Sequence, residues 1–176
     1  MTSMDVIDLC SRLDALDVQV WVDGGWGVDA LLGKQSRPHA DLDIVIQAKD
    51  VQKVRHLLEA QRYKDVPRPD TSAWNFVLSD GRGREVDVHV ITLDTEGNGL
   101  YAAEEKGVMY PAGSLTGSGS IDGRAVKCIS PEWMIKFHSG YELKHKDFKD
   151  VSALCEKFDT DLPEEFRHFE KEKDEG

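Results

Sequence analysis

Two aspartates separated by one residue, Asp41 and Asp43, lie in the run ADLDIVIQ. Residues i and i+2 of a β-strand point to the same face, about 6.5–7 Å apart at Cα. Two carboxylates on one face, flanked by Leu42, Ile44, Val45 and Ile46, repel each other and are costly to desolvate. A divalent cation resolves that conflict. Carboxylate oxygens suit Mg2+, which binds through one or two carboxylates together with substrate phosphates. Upstream, Gly24-Gly25 lets the backbone approach a ligand closely. The first N–H groups of a following helix can hold phosphate oxygens. A phosphate cradle beside a carboxylate metal site points to phosphoryl or nucleotidyl transfer.

The elements around these residues follow from the local pattern. A short apolar strand is expected over 18–22, then the Gly-Gly turn, then a short helix from Trp26 to about Leu32. A basic loop with Lys34, Arg37 and His39 leads into the strand bearing Asp41 and Asp43. Arg37 and His39 precede the acidic strand, near where a triphosphate would lie; each reads as a phosphate contact or as a solvated loop charge. Asp29 reads as a loop-orienting or capping residue. Trp26 reads as packing, with its main-chain N–H among the phosphate donors.

Helical spacing of Val6, Leu9, Leu13 and Leu16 predicts an amphipathic helix over 4–16, and Val51, Val54, Leu57 and Leu58 predict another over 49–60. The stretch 64–72, with two prolines, reads as a connector. Residues 74–91 read as a hairpin turning at DGRG. On its second strand Val86, Val88 and Val90 face one side, and Glu85, Asp87 and His89 the other. Asp87 is the third key carboxylate, as a metal ligand or as the base for an acceptor hydroxyl. Glu85 and His89 flank it. Residues 94–124 form a long stretch rich in Gly, Ser and acids, read as the wall of an acceptor pocket with a short hairpin in it. Tyr101, Glu104, Glu105 and Tyr110 are its candidates. A last strand is expected over 125–129. Ser130-Pro131-Glu132 then reads as a helix start with Ser as N-cap, and a final helix carries Val151, Leu154 and Phe158.

The order strand, Gly-Gly, helix, Asp-x-Asp resembles the polymerase-β-like nucleotidyltransferase superfamily. The run Gly24-Gly25-Trp26-Gly27-Val28-Asp29, with Gly33 and Arg37-x-His39-x-Asp41-x-Asp43, is similar to the small antibiotic nucleotidyltransferases. Val86-Asp87-Val88-His89, Cys128-Ile129-Ser130 and Phe137-His138-Ser139-Gly140-Tyr141 bring it nearest the short lincosamide nucleotidyltransferases, with the 2''-aminoglycoside enzymes more distant. The resemblance implies an α+β fold: a mixed central sheet flanked by helices, with C-terminal helices. It implies Mg2+-dependent transfer of a nucleoside monophosphate, AMP from ATP, to a hydroxyl of a lincosamide, releasing pyrophosphate, with one or two ions at Asp41, Asp43 and Asp87. Gly24, Gly25, Trp26, Arg37 and His39 would hold the nucleotide. Glu85, His89, Tyr101 and Glu104 would meet the acceptor. Superfamily members often hold triphosphate with a C-terminal basic residue; Lys136, Lys144 and Lys146 are candidates. An aminoglycoside is the alternative acceptor, and a protein or tRNA target the second alternative. A degenerate binding module is disfavoured by the three carboxylates.

The 176 residues are 40% hydrophobic and 31% charged, consistent with one globular domain over 1–160 followed by an acidic tail, 161–176, expected to fray. A net charge of −11 disfavours a nucleic-acid partner and suits a small cationic, hydroxylated acceptor. No run approaches 18 apolar residues, so no membrane span is expected. The first residues lack a secretory pattern. Three scattered cysteines, Cys10, Cys128 and Cys155, read as free thiols of a cytoplasmic protein. A homodimer is left open.

Overall fold

The computed structural model describes residues 1–101 and 108–169. Helix α1 spans Ser3–Ala15 and buries Val6, Leu9 and Leu13; the Thr2 hydroxyl and the Asp5 carboxylate cap each other's backbone N–H. Strand β1 is Val20–Asp23. Helix α2, Gly24–Leu32, starts two residues before the expected Trp26, with Asp23 as N-cap, and ends at Gly33, whose φ of 73° is the left-handed cap that glycine favours. Strand β2, Asp41–Gln47, carries the acidic pair. A 3-10 turn at Ala48–Asp50 leads into α3, Val51–Ala60.

Strands β3 (Lys64–Val66), β4 (Asn75–Ser79) and β5 (Glu85–Leu93) follow. The hairpin of β4 and β5 is as expected, and the Asp80 carboxylate ties its turn by accepting from the N–H groups of Arg82 and Arg84. The start of the supposed connector, by contrast, is the edge strand β3, paired antiparallel to β4. Strands β6 (Gly99–Tyr101) and β7 (Val108–Tyr110) form the short hairpin of the pocket wall. A 3-10 segment, Ala112–Thr116, precedes β8 (Gly117–Ile121) and β9 (Arg124–Cys128). Helix α4, Pro131–Phe137, starts after Ser130 as expected, but the Ser130 side chain makes no capping bond. Instead its N–H donates to the Ser114 carbonyl at 2.8 Å, joining α4 to the 3-10 segment. Helix α5 spans His145–Phe158.

The strands make one mixed sheet, in the order β3-β4-β5-β2-β1-β9-β8, with β6 added to β5 and β7 to β6. Strand β2 is central, antiparallel to β1 and parallel to β5. Leu42, Ile44, Ile46, Val86, Val88 and Val90 are at most 1% exposed, all on one face of β2 and β5. Each such buried side chain contributes about 1.5–3 kcal/mol. Their alternating neighbours on the other face form the site. Helix α2 packs on β1, β2 and β8 and against α4 and α5.

Of the tail expected to fray, residues 161–169 are described and pack on the core, and residues 170–176 lie outside the described residues. Phe166 is 0% exposed and Phe169 stacks on Phe148 of α5 at 5.5 Å between ring centroids, because the acidic tail carries aromatic residues that the core accepts. Among the described residues, no helix is long and apolar enough to cross a membrane.

Candidate active site

Register places the carboxylates. Asp23 of β1 lies opposite Asp43 of β2, and Asp43 lies opposite Asp87 of β5. Side chains opposite each other on neighbouring strands share a face, with strands about 4.8 Å apart. Three carboxylates therefore stand in one row across three strands. Asp41 and Glu85 form the next row, and His89, two residues beyond Asp87, completes the same face.

Among the described residues, Asp43, Asp87 and His89 bring ligand atoms within 4.8 Å of one another. Burial, then Asp41, Asp23 and Asp87, pushes the Asp43 carboxyl well above its ordinary pKa. Burial raises the Asp87 carboxyl too; His89 opposes this, while Asp70 and Asp41 add to it. One Asp87 oxygen, Oδ1, is buried without a hydrogen-bond partner. Among the described residues this buried oxygen has no hydrogen-bond donor and only His89 Nε2 near it, at 3.9 Å; beside two further carboxylates it favours a cation. The donor set is oxygen-rich and fits a hard divalent cation.

The turn above the row is shaped by that carboxylate. Gly24 has φ of 55°, and a Cβ there would overlap the Asp43 carboxylate. Next to it, a Cβ on Gly25 would overlap the His39 ring and come 3.0 Å from an Arg37 terminal nitrogen. The Gly24 N–H is taken by Asp23 Oδ1 at 2.8 Å. The following N–H groups, of Gly25 and Trp26, open the first turn of α2, where no intrahelical acceptor exists.

A cleft of about 540 Å³ opens beside the row, a size suited to a drug-sized ligand. Tyr101, Tyr110, Phe137 and Tyr141 give it aromatic walls, and Asp23, Asp43, Asp70, Asn75, His89 and His138 its polar groups.

The family model described as aminoglycoside-2''-adenylyltransferase matches residues 5–154. The chain belongs to the aminoglycoside-2''-adenylyltransferase family. It is 33% identical over 154 residues to a lincosamide resistance protein of Staphylococcus haemolyticus, covering 88% of this chain and 94% of that one. The solved structure of the lincosamide antibiotic adenylyltransferase LnuA with lincomycin bound is similar at a TM-score of 0.76 and 33% identity, covering 88% of this chain and 96% of that one. ANT(2")-Ia in complex with adenylyl-2"-tobramycin shares the fold at a TM-score of 0.72 and 21% identity, covering 89% and 88%. This member of the family is an enzyme, an antibiotic nucleotidyltransferase.

Within this nucleotidyltransferase the expected residues fall into three groups. Asp43, Asp87 and His89 gather at the centre, with Asp41 exposed one step outward on the same face. Tyr101 and Tyr110 line the cleft, and the Tyr110 hydroxyl donates to Asp23 at 3.5 Å. Other residues have protein partners. The Arg37 guanidinium donates to Asp150 of α5 at 2.6 and 3.2 Å and faces His39 Nδ1 at 3.0 Å. Buried His39 pairs through Nε2 with Asp29, which also accepts from the Ser36 N–H and hydroxyl. Asp29 thus ties Ser36 and His39 of the loop to α2. Arg37 and His39, on the loop between α2 and β2, are held by these partners against Gly25. Trp26 is 1% exposed against His39, a packing residue. Glu85 is bound to Arg68 at 2.8 Å. Lys136 lines the cleft but pairs with Glu132 at 2.6 Å. Lys146 is near enough to lower the Asp43 pKa slightly against the rise, and Lys144 lies beside it in a small polar pocket with Tyr141 and Asp147. Glu104 and Glu105 lie outside the described residues.

Sequence reasoning missed Asp23, Asp70 and Asn75. An acid immediately before Gly24-Gly25, at the end of a strand next to the acidic strand, was the available signal for Asp23. Asp70 carried none, because its connector reads as inert.

Proposed function

We propose that this enzyme transfers AMP from ATP to a hydroxyl of a lincosamide, with release of pyrophosphate. The observation that carries the reading is the carboxylate row Asp23–Asp43–Asp87 with its buried, unpartnered Asp87 oxygen, beneath the first turn of α2. The names of the lincosamide relatives at 33% identity support the acceptor class. So do the aromatic walls of the cleft, which suit a drug with apolar parts.

Asp43 and Asp87, with Asp41 at the outer edge, are the residues that would hold Mg2+. When bound, Mg2+ supplies the positive charge that offsets charge building up on the triphosphate. The Gly25 and Trp26 N–H groups hold phosphate oxygens at the start of α2. Arg37 and His39 fix the turn from behind, keeping those N–H groups aimed. Asp87, with its raised proton affinity, orients or deprotonates the acceptor hydroxyl at the metal side of the cleft. His89 sits one pleat further along the same face and orients the acceptor. We also read residues 1–160 as the catalytic domain, onto which the described tail residues 161–169 pack.

An aminoglycoside acceptor is the second reading. It is favoured by the acidic surroundings, in which Asp23, Asp41, Asp43, Asp70 and Asp87 crowd one end of the sheet. Pyrophosphate release from ATP and Mg2+ with lincomycin, clindamycin and tobramycin tests both, with Asp43→Asn as control. The expected result is release that needs a lincosamide and vanishes in the variant. Release with tobramycin alone keeps the chemistry and replaces the acceptor. No release with any drug overturns the reading.

A further inference from the structure

The cleft contains a polar pair that the transfer chemistry leaves unused. Asn75 opens β4 directly opposite His89 of β5, on the face that carries Asp87. It is 8% exposed, and its Nδ2 donates to Asp70 Oδ2 at 2.7 Å. An ionised carboxylate only accepts, so the amide must turn its NH2 toward Asp70. The Asn75 Oδ1 is then left as an acceptor, buried and without a partner. Both residues line the cleft.

Asp70 itself is exposed and makes no ion pair among the described residues. Among the described residues, the nearby Arg and Lys side chains are already committed: Arg68 binds Glu85 at 2.8 Å, and Lys136 binds Glu132 at 2.6 Å. Its loop is fixed. The Arg68 N–H donates to the Thr71 hydroxyl at 2.7 Å, and the Ser72 N–H donates to the Asn75 carbonyl at 2.7 Å. Asp70 is close enough to the centre that its charge raises the proton affinity of both Asp87 and Tyr101. Among the described residues, the cleft thus presents a fixed carboxylate without a counter-charge, a second acceptor without a donor, and aromatic rings on the wall beside them. That combination asks for a ligand that is cationic and carries an N–H.

We infer that Asp70 and Asn75 form a subsite for a protonated amine of the acceptor: the ammonium N–H donates to Asn75 Oδ1 or Asp70, and the Asp70 charge pairs with it. This subsite rests on the small-drug acceptor reading above and deepens it. It assigns the amine, rather than the reacting hydroxyl, as the group that orients the drug over Asp87 and His89.

The test is steady-state kinetics on the enzyme with lincomycin and with its N-demethyl-N-acyl analogue, in which an uncharged amide replaces the tertiary amine. Asp70→Asn removes the charge and keeps the shape. A charge-assisted hydrogen bond is worth enough that KM for lincomycin should rise by about 10–100-fold. KM for the uncharged analogue and for ATP should change by less than about threefold, as for an ordinary surface substitution. Asn75→Leu should raise KM for lincomycin in the same direction by removing the second acceptor and the tether. If Asn75→Leu fails to fold, Asp70→Asn decides alone, since among the described residues the Asp70 carboxylate bonds only to the Asn75 amide. An equal effect on both acceptors, no effect, or a rise confined to ATP overturns the subsite. Failure of the wild type to turn over any cationic drug overturns the acceptor reading and the subsite with it. Normal wild-type turnover with an unaltered Asp70→Asn variant overturns the subsite alone.

Discussion

Asp43 is half-buried among like charges, and that arrangement costs the fold something at neutral pH. Its folded pKa lies well above the ordinary carboxylate value, through burial and through Asp41, Asp23 and Asp87. The sign of the effect on stability follows. A carboxyl whose pKa is raised in the folded state carries no penalty below its unfolded value of about 3.9, acquires one as pH rises from there, and bears it fully above the folded value. A bound cation offsets the penalty; so does removal of the charge. Asp43→Asn should therefore abolish turnover yet raise the melting temperature of the metal-free protein. Each kcal/mol is worth roughly 2–4 °C in a chain of this size. Added Mg2+ should stabilise the wild type and not the variant. Melting curves at neutral pH with and without Mg2+ check both points, and equal Mg2+ stabilisation of the two proteins would sink the assignment of Asp43 as a ligand. Protons and Mg2+ compete for the same oxygens, so the Mg2+ concentration for half-maximal rate should rise as pH falls.

The turn between β1 and α2 serves two neighbours, and its two glycines differ from others in the chain. Gly24 has φ of 55° and the Asp43 carboxylate lies where its Cβ would be; Gly81, in the β4–β5 turn, has φ of 70° and open space. Alanine at either site meets a backbone cost of about 1–2 kcal/mol. Only at Gly24 does it also displace a site carboxylate. Gly24→Ala should lose turnover far beyond its loss of stability, whereas Gly81→Ala should lose stability alone. Comparing kcat with melting temperature for the two variants separates these effects, and equal kcat losses would remove the steric role of Gly24. This turn was legible in the sequence because its whole signal is local: Gly-Gly after a strand, then Asp-x-Asp at strand spacing. Other elements were not. Strand β3 is short, mostly exposed and followed by prolines, so only its pairing with β4 makes it a strand. Strand β8, GSGSI, reads as a loop by composition. Its glycines instead permit contact, since a Cβ on Gly117 would lie 2.5 Å from the Ile129 carbonyl oxygen and one on Gly119 would overlap the Ala30 carbonyl. The partner of Arg37 was illegible because Asp150 lies 113 residues away in the chain.

At the scale of the whole molecule, the chain end and the site are linked through α5. Asp150 of that helix holds Arg37, which lies against Gly25, and Phe148 of the same helix stacks on Phe169. Phe166, in the 3-10 turn Glu164–Phe166, is fully buried and lies 6.5 Å from Phe169 between ring centroids. The tail's acidic composition had pointed to solvent, but two aromatic side chains outweigh several surface charges when the core has room for them. Phe166→Ala should therefore behave as a core truncation and cost about 3–5 kcal/mol, roughly 6–20 °C in melting temperature. Loosening α5 should also weaken the hold on the Gly25 turn. KM for ATP should then rise in the temperature range where the variant is still folded, while KM for the acceptor, whose cleft is built from β4, β5, the β6–β7 hairpin and α4, changes less. Thermal unfolding and a two-substrate KM comparison check this. A variant that melts like the wild type would make the tail a passive appendage. One that melts early with both KM values unchanged would show that α5 supports the fold without setting the turn.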